Sequence, residues 1–256
     1  MAFTLAACAE MLWLDRPIEW RCARLHEMGF EVGLWDWPGH DLRKLGASGA
    51  TFSIMNGYLE GRLGDDEGAD RLLASARETA AVGRRLGVAR LNLHGTGLGD
   101  GGRPRRAEVA TPLKWVKARD TLNRICDLAD ELDLVFTLEN LNLPVDHAGV
   151  PFARAEDTLA LVAAVDRPRL RLNLDLYHAQ IGEGNLIDLC RACLPWIGEI
   201  QVADVPGRCE PGTGEINYGG VARALAQMGY DGPVGLEAWA SGDAETALDA
   251  FRTAFG

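Results

Sequence analysis

Nowhere in this chain does an uninterrupted apolar run approach the length that crosses a bilayer, which excludes a membrane-spanning helix as its organising element. Basic residues are in the minority: 26 Lys and Arg against 37 Asp and Glu leave a formal net charge of −11. That imbalance disfavours nucleic acid or an anionic membrane surface as a partner, because both reward clustered cations. The opening Met1-Ala2-Phe3-Thr4-Leu5 lacks a basic region, and Glu10 comes too early for a secretory signal, so a cytoplasmic protein is expected. The six cysteines are scattered through 256 residues, which argues against a disulfide framework. Cys190 and Cys193 form a single Cys-x-x-Cys with neither a second pair nor a nearby His. Burial in a helix ending near Pro195 is expected for them rather than zinc binding.

What is present in quantity is ordinary. An apolar content of 47% and a charged content of 25% allow a large core, and the length suits one (β/α) barrel or two smaller domains. The second half of the chain decides between these. Four apolar runs each end in a residue able to bind a hard divalent cation: Leu134-Val135-Phe136-Thr137-Leu138-Glu139, Leu170-Arg171-Leu172-Asn173-Leu174-Asp175, Ile197-Gly198-Glu199-Ile200-Gln201 and Pro233-Val234-Gly235-Leu236-Glu237. Such runs read as strands, with room between them for a helix and its turns. As neighbouring parallel strands they would project Glu139, Asp175, Gln201 and Glu237 from one rim. Three carboxylates gathered there repel one another unless a cation lies between them, and oxygen-only ligation suits Mg²⁺ or Mn²⁺ better than zinc. These four residues are therefore the expected ligands of a metal site at the mouth of a barrel. For any one of them alone, a helix cap or a surface charge is the competing reading.

The remaining segments continue the alternation. Strands are expected over 3–8, 31–35, 50–55 and 88–94. Helices are expected over 17–28, 65–86, 112–132, 155–165, 186–194, 217–228 and 243–254, with a short one to about Leu45. Pro17 in a first turn, Asn217 as a cap, and Gly29 and Gly229 as stops support these bounds. Eight strands alternating with about eight helices predict a single (β/α)₈ TIM barrel over 1–256, whose chemistry would sit on the carboxyl-terminal rim. His94, last residue of the fourth strand, is expected on that rim. The loop after it, 95–111, contains Gly97-Leu98-Gly99-Asp100-Gly101-Gly102, formally Gly-x-Gly-x-x-Gly. A nucleotide fingerprint needs a helix to open there, and Arg103-Pro104-Arg105-Arg106 intervenes, so a mobile loop is expected instead. Its basic tetrapeptide reads either as solvated surface or as a hold on an anionic substrate.

Two glutamates on opposite sides of a metal can move a proton between adjacent carbons beside a polarised carbonyl, with no redox cofactor. Here a resemblance becomes specific. The stretch Ile200-Gln201-Val202-Ala203-Asp204-Val205-Pro206-Gly207-Arg208-Cys209-Glu210-Pro211-Gly212-Thr213-Gly214-Glu215-Ile216-Asn217-Tyr218 resembles the hydroxypyruvate isomerase family of the xylose isomerase-like barrels. Glu139-Asn140-Leu141-Asn142, Asp175-Leu176-Tyr177-His178, Gly229-Tyr230-Asp231-Gly232 and Gly235-Leu236-Glu237 match it in the same order. The resemblance implies that Glu139, Asp175, Gln201 and Glu237 bind the metal. It also implies that Glu139 and Glu237 form the acid and base pair, and that His178 and Arg208 contact substrate oxygens. The residues support two of these roles independently. His178, three positions beyond Asp175, can reach back over the rim, and Arg208 lies in a Pro/Gly-rich loop where its planar fork could hold a carboxylate. His94 is a further substrate or supporting contact.

There are departures. Cys8 stands where the family commonly has Asn, Gly33-Leu34-Trp35-Asp36-Trp37 replaces an acidic residue followed by aromatics, and 143–151 diverges. Trp13, Trp35, Trp37 and Trp239 are candidates for apolar pocket walls or for filling the barrel top. The expected activity is metal-dependent aldose–ketose isomerisation of small hydroxy-oxo acids, hydroxypyruvate to tartronate semialdehyde. A 2-oxo-tetronate isomerase, a ketose 3-epimerase and a non-catalytic sugar-acid binding protein are the alternatives. Related barrels that dehydrate 3-dehydroshikimate or cut abasic DNA form another class, and the acidic charge and only five histidines argue against the nuclease. The expected partner is a small hydroxy-oxo acid or sugar, and a homo-oligomer is compatible with the sequence.

Overall fold

The computed structural model of the chain describes residues 3–256. Eight parallel strands close into a barrel in chain order: β1 (Thr4–Cys8), β2 (Glu31–Leu34), β3 (Phe52–Asn56), β4 (Arg90–Leu93), β5 (Val135–Glu139), β6 (Leu170–Asp175), β7 (Ile197–Val202) and β8 (Pro233–Leu236). β8 returns to pair with β1, with Ala6 opposite Gly235. Around them run α1 (Ile18–Glu27), α2 (Leu42–Ala47), α3 (Asp66–Leu86), α4 (Pro112–Leu132), α5 (Ala155–Val165), α6 (Leu176–Gly182), α7 (Leu186–Cys193), α8 (Tyr218–Met228) and α9 (Ala244–Phe255). The expected TIM barrel is the fold. No helix of the described residues is long and apolar enough to cross a membrane.

Local chemistry sets the helix ends. Asp65, Asn217 and Asp243 each accept a backbone N–H from the first turn of α3, α8 and α9, at 2.8, 3.0 and 2.9 Å. Such caps satisfy donors that the helix leaves orphaned. Gly87 and Gly229 close α3 and α8 in the left-handed region, at φ 71° and 82°, which glycine enters without steric cost. Helix α6 was not expected. It opens directly from the end of β6, with Asp175 as its cap accepting from the His178 N–H at 2.9 Å, so no turn residues separate strand from helix. Cys190 and Cys193 are buried in α7.

Strand alternation sorts the side chains into two sets. Leu91, Leu93, Leu138, Leu172, Leu174, Ile200, Val202, Val234 and Leu236 are fully buried in the apolar core, while the alternate positions Asn92, Glu139, Asn173, Asp175 and Gln201 carry polar groups to the site. Deeper among the strands, Glu199 is fully buried, with Arg90 Nε 2.7 Å from its Oε2 and Ser53 Oγ donating at 3.2 Å. Burial pushes the Glu199 carboxyl up, and Arg90 opposes the shift. In the strand register Glu139 stands beside Asn173, Asp175 beside Gln201, and Gln201 beside Gly235. Adjacent strands therefore deliver their terminal polar residues at one level of the rim.

Candidate active site and metal centre

Glu139, Asp175 and His178 are buried, and each offers an atom within 4.8 Å of the others'. The Oε2 of Glu139 accepts from Asn92 Nδ2 and from Asn173 Nδ2, the latter at 3.2 Å, and lies 3.1 Å from His94 Nε2. Asn173 Nδ2 also donates to Gln201 Oε1 at 2.7 Å, which ties the end of β7 to that of β5. Asn140 locks the register between strand ends: its Nδ2 donates to the Asp175 carbonyl and its Oδ1 accepts the Asp175 N–H, both at 2.9 Å. The two-sided amide explains why Asn follows Glu139. The Asn140 side-chain amide pairs with the Asp175 backbone as a neighbouring strand's peptide group would.

Glu237, just past β8, keeps 17% side-chain exposure and pairs with Arg208 Nη2 at 2.6 Å. Arg208 is presented by a loop wound around one carboxylate. Asp204 Oδ1 accepts from the Val205 and Ile216 N–H groups, and Oδ2 from those of Gly212 and Gly214, all at 2.9–3.0 Å. This hub holds Arg208 in the left-handed region at φ 54°, a conformation costing a non-glycine residue about 1–2 kcal/mol. Its guanidinium stacks on Tyr177, 5.0 Å from the ring centroid.

These groups surround a cavity of about 700 Å³, also lined by Cys8, Trp35, Tyr58, His94, Arg105 and His147. Its electrostatics are unbalanced. Burial and the neighbouring Glu139 and Glu237 charges push Asp175 well above the ordinary carboxylate range, with Arg208 opposing. Burial likewise raises Glu237 to about 7 against the pull of Arg208. For Glu139 burial acts upward too, but His94, Arg208 and the Asn92 hydrogen bond outweigh it and leave the carboxyl below its usual range. Three carboxylates thus share one arginine, a deficit that a divalent cation would correct. The donor set, carboxylates with the amide oxygen of Gln201, fits a hard cation.

His178 belongs to this cluster in a different capacity. Asn142 Oδ1 accepts the Val145 and Asp146 N–H groups at 3.1 and 2.9 Å, which fixes the amide's orientation. Its Nδ2 therefore donates to His178 Nδ1, 2.8 Å away, and the neutral ring carries its proton on Nε2. Burial holds the ring neutral, well below the usual histidine range. Among the described residues Nε2 has no hydrogen-bond partner, and it lies 3.9 Å from Glu139 Oε1 and 3.8 Å from Asp175 Oδ2. A buried donor aimed between two carboxylates suits an oxygen that enters with a ligand.

Residues 25–254 match the family model described as a xylose isomerase-like TIM barrel. The chain belongs to that family. Over 96% of its length it is 28% identical to a Mus musculus protein named "Putative hydroxypyruvate isomerase", covering 93% of that protein. The Homo sapiens protein of the same name is 39% identical over 127 residues, 49% of this chain and 46% of that one, so the match spans about half of the human relative. The 2-oxo-tetronate isomerase of Haemophilus influenzae is 42% identical over 96 residues, 38% of this chain and 37% of that one. Among solved structures, AP endonuclease, family 2 from Brucella melitensis superposes with TM-score 0.83 over 99% of both chains at 24% identity, a likeness of fold alone.

In this xylose isomerase-like barrel, Glu139, Gln201, Glu237, His94, His178 and Arg208 all line the one cavity, and Asp175 lies against it through the Glu139–His178 cluster. Trp35 and Trp239 line it as well, whereas Trp37 is buried in the core and Trp13 packs against Trp20. Several site residues have no signal at a strand end. Asn92 and Asn173 could have been found two positions before His94 and Asp175, since period two returns a strand to the same face. Tyr58, whose hydroxyl sits 3.0 Å from His94 Nδ1, and His147, from the divergent 143–151 segment, carry no such cue.

Proposed function

We propose that this protein is a divalent-metal-dependent aldose–ketose isomerase of small hydroxy-oxo acids, interconverting hydroxypyruvate and tartronate semialdehyde. The observation that carries the reading is geometric: adjacent strand ends bring Glu139, Asp175 and Gln201 together at one rim, with Glu237 beside them on the same cavity. Two glutamates facing one cavity can serve as an acid and a base. Mg²⁺ or Mn²⁺ held by Glu139, Asp175, Gln201 and Glu237 would supply electrophilic polarisation of the substrate carbonyl.

The chain's own groups account for the proton movements. One glutamate of the pair takes a proton from the hydroxymethyl carbon, and the other gives one to the former carbonyl carbon. The hydroxyl proton passes to the former carbonyl oxygen, so an enediolate forms and collapses without net gain or loss of electrons. His178 offers Nε2–H to the oxygen that becomes negative. In the reverse direction the glutamates exchange roles, so both directions need the pair to hold one proton.

The test is hydroxypyruvate in D₂O followed by NMR, on metal-stripped protein with Mg²⁺ or Mn²⁺ restored, beside Glu139→Gln and Glu237→Gln. Metal-dependent deuterium uptake with tartronate semialdehyde formation, reduced by about 10²–10⁴ in either variant, is expected. No exchange with either metal removes hydroxypyruvate as the substrate. A second reading, isomerisation of a 2-oxo-tetronate, is favoured by the similarity to the Haemophilus influenzae enzyme and by a cavity roomier than a three-carbon acid needs. A side-by-side substrate panel separates the two.

A further inference from the structure

The proposed substrates are anions, yet the cavity's deeper cation is already committed: Arg208 is bound to Glu237 at 2.6 Å and stacked on Tyr177. His178 Nδ1 is engaged by Asn142 and His147 Nδ1 by the Gly102 carbonyl. One more cation lines the cavity, Arg105 of the loop after β4, and it forms no ion pair with a carboxylate among the described residues. Elsewhere in the same loop, charge is well matched: Glu108 is buried between Arg62 and Lys114, at 3.2 and 2.6 Å.

The loop after β4 folds as a hydrogen-bonded hairpin. The Gly97 N–H donates to the Gly61 carbonyl at 2.8 Å, Gly99 N–H to Arg103 at 2.7 Å, and Arg105 N–H to Gly97 at 2.9 Å, with Leu98 and Pro104 bridged as antiparallel partners. Its tip is tied across the cavity, where His147 Nδ1 lies 2.6 Å from the Gly102 carbonyl and donates to it. Gly102 is left-handed at φ 72°, and a Cβ there would meet the His147 ring at 2.7 Å, so glycine is required at this crossing. Arg105 Nε is itself anchored, donating to the Leu98 carbonyl at 3.1 Å, which leaves its terminal nitrogens for a ligand. Tyr58 lines the same cavity as Arg105, and its hydroxyl contacts His94, which in turn contacts Glu139.

We propose that Arg105 binds the carboxylate of the substrate, and that the Gly97–Arg105 hairpin selects hydroxy-oxo acids over neutral ketoses. The proposal rests on the isomerase reading above for the identity of the acid. It goes beyond that reading in assigning the anion to this loop rather than to Arg208. A planar fork whose backbone is fixed in advance loses little entropy on closing around a carboxylate. The alternating Gly97, Gly99, Gly101 and Gly102 then serve a tight turn at the cavity wall, not a phosphate cradle.

The experiment is calorimetric titration with D-glycerate, which has the carboxylate but cannot isomerise, and with the neutral ketose D-erythrulose, in Mg²⁺ throughout. The proteins are wild type, Arg105→Gln, Arg105→Lys and Arg106→Gln, the last removing an equal charge from a loop residue outside the cavity lining. Arg105→Gln should weaken D-glycerate about ten- to a hundredfold, with Arg105→Lys between it and wild type. D-erythrulose should be unchanged, as should D-glycerate with Arg106→Gln.

Several outcomes overturn the proposal: no D-glycerate binding to wild type, no loss in Arg105→Gln, equal losses in Arg105→Gln and Arg106→Gln, or an equal loss for the ketose. The third would mean diffuse electrostatics, and the last a loop-positioning role. Isomerisation assays on the same samples keep the two readings apart. Failure of wild type to turn over any acid, with the binding pattern intact, sinks the isomerase assignment and leaves the Arg105 anchor standing.

Discussion

Replacing Asp175 by Asn should stabilise the metal-free protein while abolishing its stabilisation by Mn²⁺ or Mg²⁺. Asp175 is 1% exposed, and burial with the adjacent Glu139 and Glu237 charges pushes its carboxyl well above the ordinary range. Asn keeps the shape and an oxygen for the His178 N–H, so the α6 cap survives while the charge goes. Relief of a poorly compensated buried carboxylate is worth about 1–3 kcal/mol. At roughly 2–4 °C per kcal/mol for a chain of this size, Tm in EDTA should rise by about 2–12 °C. The pH dependence has a definite sign. Folding raises this pKa, so the folded state holds the proton more tightly than the unfolded chain does. The penalty is absent below the ordinary aspartate value of about 3.9, grows as pH rises through it, and is complete above the raised folded value. The gap between variant and wild type should therefore be wide at pH 7 and close on acidification. With metal at a hundredfold excess over its Kd, wild type should gain about 2.7 kcal/mol, and Asp175→Asn almost nothing. Thermal unfolding in EDTA and in Mn²⁺, at two pH values, measures all of this. An Asp175→Asn protein that melts lower in EDTA, or that responds to Mn²⁺ as wild type does, would falsify the account of these carboxylates as a cation site.

Three further expectations follow from individual contacts. Glu237 must share a proton with Glu139, so kcat should fall on the alkaline side as that proton is lost; Arg208 holds the Glu237 value down, and Arg208→Gln should move the alkaline limb to higher pH, the opposite shift refuting the assignment. Asn142→Asp should reverse the His178 tautomer, placing the proton on Nδ1, and lower kcat about ten- to a thousandfold while Mn²⁺ stabilisation persists; ¹⁵N NMR of the ring reports the proton directly. Glu10 accepts the Trp35 and Asp36 N–H groups at 2.9 and 2.7 Å and lies 3.4 Å from His40 Nε2, so Glu10→Gln should cost about 1–3 kcal/mol. The nearby Glu10 carboxylate raises the His40 value, so that part of the stability is present below about pH 6.5 and lost as pH rises through the folded value; melts at pH 6 and 8.5 should show the gap between variant and wild type narrowing.

Much of the fold was legible because each element announced itself locally. α4 and α5 fall where helical spacing placed them, at Pro112–Leu132 and Ala155–Val165, since Pro opens the first and apolar periodicity bounds the second. β4 is shorter than expected, Arg90–Leu93 rather than 88–94; at its start the Val88 N–H still bonds back to the Gly83 carbonyl of α3. α6 carries no start signal of its own, because its cap, Asp175, is also the last residue of β6. A side chain can be both, and nothing within its own segment says so.

The sequence alone determined that four strands carry a metal-capable residue at or within one position of their ends, and that three of these are carboxylates, because strand period and residue type are local properties. Closure of the barrel decided the rest. Only the closed ring brings Asn92 of β4 and Asn173 of β6 onto the same oxygen of Glu139. Only the packing of distant loops fixes the His178 proton through Asn142, or seats the Gly97–Arg105 hairpin against His147. Protonation depends on burial and on the sum of neighbouring charges, and these are properties of three-dimensional proximity. Two glutamates identical in sequence therefore acquired opposite pKa shifts only when the chain folded around them.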